Sequence, residues 1–109
     1  MEVSTMIYPY MTLPDETEIV FTNVFEEDGV KKVEVHFERP TDDGFDTARC
    51  QLPSYTWLIR EGFSEKEISF FEQFLRDNTS IFYKYSSYVN TYNGDINCGE
   101  KTPYIYSPQ

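Results

Sequence analysis

His36 is the chain's one histidine and has Glu34 and Glu38 two residues away on either side. On a strand these three side chains share a face, and an imidazole with two carboxylates is the raw material of a metal site or an acid–base pair. A metal site needs three or four ligands converging from different elements, with further groups orienting them. Side chains repeating every ~6.6 Å along one strand do not converge. The expectation is a solvated strand face, with no metal. Asp42-Asp43-Gly44-Phe45-Asp46 has the composition of a calcium loop but lacks the D-x-D-x-D-G spacing and the distant Glu, so it reads as an acidic turn. Cys50 and Cys98 have neither C-x-x-C spacing nor partner histidines; they could form one disulfide, but two free thiols in a reducing cytosol is the preferred reading. No G-x-S-x-G, phosphate-binding loop, dinucleotide glycine pattern or H-E-x-x-H occurs. The expected class is therefore non-catalytic, with no cofactor.

Charge is what stands out. The 109 residues carry a formal net charge of −10. Residues 15–46 hold eleven Asp or Glu against Lys31, Lys32 and Arg39, a net of −8 in under a third of the chain. Such a field repels nucleic acid and membrane surfaces and attracts basic ones. An aromatic fraction of 17% is too high for a disordered acidic tail, so the charge sits on a folded object. The candidate contact set is the acidic band Glu26, Glu27, Asp28, Glu34, Glu38, Asp42, Asp43 and Asp46. Strands would hold these groups about 6.6 Å apart along the chain and about 4.8 Å apart across it. Duplex DNA shows one charge per ~1.7 Å of axis, so such a face is a sparse imitation of it. The expected partner is a basic, nucleic-acid-binding protein, with no direct contact to nucleic acid or membrane. The alternative for the band is ordinary solubilising charge. Tyrosines crowd the C-terminal third, and Tyr85, Tyr88 and Tyr92 are candidate anchors because an apolar ring with a polar tip suits an interface. Completing the core is the alternative for them.

The element that must position these groups is the stretch Gly62–Leu75. Ser64 and Glu67 form a capping box, with Phe63 and Ile68 placed as a hydrophobic staple. Ile68, Phe71 and Leu75 then line one apolar helical face. That face needs a β-rich layer to bury it. Residues 6–14 carry Pro9 and Pro14 and read as an edge strand or an extended arm. Thr17–Phe25 and Lys31–Arg39 read as strands joined at Asp28-Gly29. A two-residue turn would pair Val20 with Phe37. A bulged three-residue loop would pair Ile19 with Phe37 and bury both Ile19 and Phe21, and is preferred for that reason. Phe45–Leu52 reads as a third strand, with Ala48, Cys50 and Leu52 inward and Arg49 outward. Ser54–Glu61 reads as a short helix stopped by Gly62, with Trp57 and Leu58 in the core. Beyond Leu75 the pattern allows one long helix with a heptad seam through Phe82, Tyr85 and Val89, or two helices meeting near Asn78. The second is preferred.

The predicted fold is α+β: a three- or four-stranded antiparallel meander with two or three helices packed on one face. Residues 1–93 form the domain and 94–109 an irregular tail. No apolar run approaches the ~20 residues of a membrane helix. The N-terminus shows no basic and apolar signal pattern, so a cytoplasmic location is expected. Pairing through the helical seam, as an antitoxin-like module or a homodimer, is the alternative function.

The segments Tyr8–Val20, Val33–Pro40, Gly44–Cys50 and Gly62–Leu75 together resemble small acidic proteins carried by bacterial mobile elements. The likeness covers about residues 8 to 85, and the stretch from Tyr88 onward lies outside it. That group has no assigned activity, so no site residue comes with the resemblance. A mobile-element setting implies anti-defence inhibitors, anti-CRISPR proteins among them, which this chain is similar to in composition.

Overall fold

The computed structural model describes residues 6–94, with side chains described through residue 89. The chain runs β1 (Ile7–Thr12), β2 (Glu18–Thr22), β3 (Phe25–Glu27), β4 (Val30–Thr41), β5 (Gly44–Leu52), β6 (Thr56–Glu61) and α1 (Glu65–Gly94). The strands form one six-stranded antiparallel sheet in the order β1-β2-β4-β5-β6, with β3 also pairing β4. Period-two alternation decides which side is inside. Ile19 and Phe21 of β2, Val33, Val35 and Phe37 of β4, and Ala48, Cys50 and Leu52 of β5 are all buried on one face. The single helix covers that face with Ile68, Phe71, Leu75 and Phe82. Phe37 and Phe71 stack with centroids 4.2 Å apart. Side chains of this size each contribute about 1.5–3 kcal/mol on burial.

The β3–β4 turn satisfies two competing demands. Asp28 and Gly29 both have positive φ, 54° and 78°, and close a two-residue turn between Glu27 and Val30. Carried straight on, that register would place Val20 opposite Phe37. Ile19 pairs with Phe37 instead. The one-residue offset arises at Asn23-Val24, between β2 and β3, and not at the turn. There the Thr22 hydroxyl accepts from the Glu34 backbone N–H at 3.1 Å, closing the irregular step. The expected core pairing is present, while the bulged three-residue loop expected to produce it is absent. Burying Ile19 and Phe21 outweighs the regularity of the strand.

The helix starts where its sequence says. The Ser64 N–H donates to Glu67 Oε1 at 2.8 Å, and the Glu67 N–H donates to Ser64 Oγ at 3.1 Å. Phe63 packs edge-on against Phe71 at 5.0 Å.

The expected three or four strands and two or three helices are corrected, among the described residues, to six strands and one helix. Ser54–Glu61 is not a short helix: Thr56–Glu61 is β6, Trp57 is half-buried beside Phe37 and Leu58 is 48% exposed. Six residues are too few to hold a helix unaided, whereas the free edge of β5 pairs their backbone groups. Of the two readings of residues 6–14, the edge strand is the one present, as β1. The second correction is at Asn78, where the helix continues. Asn78 Nδ2 donates to the Phe74 carbonyl at 2.8 Å and Thr79 Oγ1 to the Leu75 carbonyl at 2.6 Å, so both side chains bond back within the helix. Thr79 also meets the Tyr55 hydroxyl at 2.5 Å, and the buried Ser86 hydroxyl donates to the Thr22 carbonyl at 2.9 Å. Two of the poor helix formers thus tie the helix to the β layer, Thr79 at the β5–β6 turn and Ser86 at β2. The expected tail, with Cys98, lies outside the described residues. Among the described residues no helix is long and apolar enough to cross a membrane.

Candidate functional site

The face of the sheet turned away from α1 carries the alternate residues of the same strands. Pairing aligns Glu18, Glu38, Thr47 and Glu61 in one row across β2, β4, β5 and β6. At about 4.8 Å per strand, the three carboxylates span roughly 14 Å. The next pair toward the β4–β5 turn is Pro40 with Phe45, and Phe45 is 64% exposed. Asp42 and Asp43 form that turn. The patch is thus an exposed aromatic ring with a row of carboxylates on one side and two more at the tip. Among the described residues, none of Glu18, Glu38, Glu61, Asp42 and Asp43 is in an ion pair.

The acidic band read from sequence is divided by the fold. Glu38, Asp42 and Asp43 belong to this patch. Glu26, Glu27 and Asp28 stand at the opposite end of β4, with Glu26 beside Lys31 and so about 23 Å along the strand from Glu38. There Glu27 is paired with Lys32 at 2.9 Å. Glu34 is on the open face but is engaged by His36 at 3.1 Å. Asp46 is on the helix-covered face. Glu18, Glu61 and Phe45 were missed by sequence reasoning. Glu18 lies within the acidic stretch 15–46 and Glu61 outside it, and strand register alone brings the two into one row.

Asp46 belongs to a structural cluster. Arg39 bonds Asp46 at 2.9 Å, Asp15 at 3.1 Å and Glu67 at 2.7 Å, and its guanidinium lies 4.6 Å above the Phe63 ring. The Glu67 carboxyl is held below its ordinary range, mainly by Arg39. Asp15 is held low mainly by bonds from Thr17, with Arg39 adding to them. Gly62 (φ +91°) turns beside this cluster, where a Cβ would run into the Asp46 carboxylate. One cation thus closes the end of the core at the helix N-terminus.

His36 departs from the solvated face expected of it. It points to the open side, across from Val20 and Arg49, yet is only 4% exposed. Burial pushes its pKa down, and Arg49 adds to that, against the upward pull of the Glu34 hydrogen bond. A carboxylate oxygen can only accept, so Nε2–H donates to Glu34. The imidazole is a strut within the face. Among the described residues no group of three or more His, Cys, Asp or Glu is placed to hold a metal. Burial pushes the Cys50 thiol up to about 12, far from thiolate chemistry at neutral pH.

Among the expected anchors, Tyr85 is half-buried against Tyr10 and Phe21, with centroids 6.3 and 6.4 Å away. Tyr88 is half-buried, and the Tyr92 side chain lies outside the described residues. Phe82 and Val89 of the heptad seam are buried against this chain's own sheet. Comparison with protein-family models, curated proteins and solved structures finds no match, so the reading of the open face rests on its own chemistry.

Proposed function

We propose that this chain is a non-catalytic binding protein that lays the β4–β5 end of its open face on a basic, nucleic-acid-binding surface of a partner protein and blocks it. The observation that carries this reading is the row Glu18, Glu38 and Glu61 beside the exposed Phe45. Glu18 and Glu38, one strand spacing of about 4.8 Å apart, lie within a Debye length of about 8 Å, and Glu61, Asp42 and Asp43 extend the same negative end of the sheet. Phe45 supplies what charge alone lacks, a desolvated anchor of the kind that dominates interface energies. The division of the original band narrows the likeness to a phosphate track to this one end of the sheet. Association should be fast and should weaken with salt. In the mobile-element setting that the resemblance implies, the partner would be a nucleic-acid-binding defence protein.

The test uses the chain as bait for host proteins at low and high salt, alongside the triple variant Glu18→Lys, Glu38→Lys, Glu61→Lys. All three positions are on the open face, so the variant should keep its fold, checked by circular dichroism. The wild type should capture a basic protein that duplex DNA displaces, and the variant should not. Equal capture by both baits, or capture indifferent to duplex DNA, sinks the reading.

A further inference from the structure

The pairing of β1 with β2 slips between Pro9 and Met11, leaving Tyr10 as the extra residue of a bulge. Pro9 pairs with Val20 and Thr12 with Glu18, all four on the open face, so β1 presents side chains there three residues apart instead of two. A hollow of about 370 Å³ lies at this step. Pro9, Met11 and Val20 give it apolar walls, and Glu18 is the one charged residue among those lining it. Directly across from Glu18, on β4, stands Glu38, about 4.8 Å away.

The charge at this hollow is not answered from within the chain. Among the described residues neither Glu18 nor Glu38 is in an ion pair. Arg39 is on the opposite face, held by Asp15, Asp46 and Glu67. Arg49 stands across from His36, one row away, and is in no described ion pair either. Even with Arg49 counted, three carboxylates of the row Glu18, Glu38 and Glu61 against one guanidinium leave a net charge of −2. Apolar walls that end on two unanswered carboxylates match a long aliphatic stem ending in a cation. A planar guanidinium with five donors can serve two carboxylates at once, whereas an ammonium is a point charge. Resting on the reading of this face as a cover for a basic, nucleic-acid-binding surface, we infer that the hollow seats an arginine side chain of that partner. Its stem lies against Pro9, Met11 and Val20 and its guanidinium between Glu18 and Glu38. Arginines that grip phosphate are the side chains such a surface offers.

The probes are the acetylated amides of arginine, citrulline and lysine, and methylguanidinium, each titrated into the whole chain at low salt and followed by amide NMR shifts. Citrulline keeps the stem without the charge, and methylguanidinium keeps the charge without the stem. Saturable shifts at Met11, Thr12, Glu18 and Val20 are expected with arginine. Citrulline and methylguanidinium should each bind about tenfold weaker, and lysine about threefold weaker. Glu18→Gln should weaken arginine binding about tenfold. Glu65→Gln removes the same charge from the exposed start of α1 and should leave that binding unchanged. Absence of saturable shifts in the hollow, an equal response to citrulline, methylguanidinium or lysine, or equal losses in the two variants overturns the inference. So do arginine shifts as large at Asp42, Asp43 and Glu65 as in the hollow, the mark of diffuse charge screening. The titration needs no partner, so it can fail while the wild type still captures a protein that duplex DNA displaces. Capture can likewise fail while arginine still fills the hollow.

Discussion

On the helix-covered side of the sheet, Asp15, Asp46 and Glu67 gather around Arg39 and close the end of the core. On the open side, Glu18 stands directly across from Glu38, like charge against like, with Glu61 in the same row. Residue type is the same in both places, and the environment differs. Carboxylates around a half-buried guanidinium hold structure together, whereas carboxylates facing each other across a strand pair cost a few tenths of a kcal/mol to about one. A fold that retains the second arrangement leaves charge available to something outside it.

Substitutions should separate the two sides. Phe37→Ala removes the ring stacked on Phe71 and should cost about 3–5 kcal/mol, read as a lower urea midpoint. Arg39→Gln leaves three clustered carboxylates without their cation. It should cost about 2 kcal/mol at neutral pH, less than a fully buried pair because solvent screens part of the repulsion. Higher salt should recover part of that loss. If Arg39→Gln is as stable as wild type in low salt, the helix-covered cluster is not structural.

Acid should weaken the wild type in two stages. The folded pKa of His36 lies below its ordinary 6.5, so the unfolded chain takes up that proton first. Its contribution is complete above about 6.5 and is lost as pH falls through the depressed value. Glu67, and Glu72 with its hydrogen bonds from Trp57 Nε1 and Arg76, are depressed from 4.5, so their contributions are present above that value and disappear below it. His36→Gln should flatten the upper stage of a stability–pH curve and leave the lower one, while Arg39→Gln should shrink the lower. An unchanged upper stage in His36→Gln would show that another group titrates there.

The smallest effect should have the opposite sign. Glu38→Gln relieves the repulsion with Glu18 and should raise stability by a few tenths of a kcal/mol, seen as a small increase in urea midpoint, while weakening partner capture. A clear loss of stability would place Glu38 among the structural carboxylates.

Local signals in the sequence were reliable wherever they acted over a few residues. Ser64 and Glu67 cap the helix, Asp28-Gly29 makes a turn, and Ala48, Cys50 and Leu52 face inward, because each follows from backbone geometry within one turn or one strand. Ser54–Glu61 and the Asn78 region misled for a shared reason. Their propensities are weak, and distant partners decided them: the open edge of β5 in one case, and Tyr55 and Thr22 beneath the helix in the other.

The sequence by itself determined that the protein is strongly acidic, that a capped amphipathic helix follows a β-rich half, and which sides of β4 and β5 are apolar. These depend on composition and on side-chain period, which no partner can change. Only the tertiary structure decided which carboxylates are engaged and which are available. A single offset at Asn23-Val24 and the pairing of β2, β4, β5 and β6 bring Glu18, Glu38 and Glu61 into one row. Arg39 meanwhile draws in Asp46 and Glu67 from residues 7 and 28 positions away. Electrostatic roles depend on distances between residues far apart in the chain, and folding sets those distances.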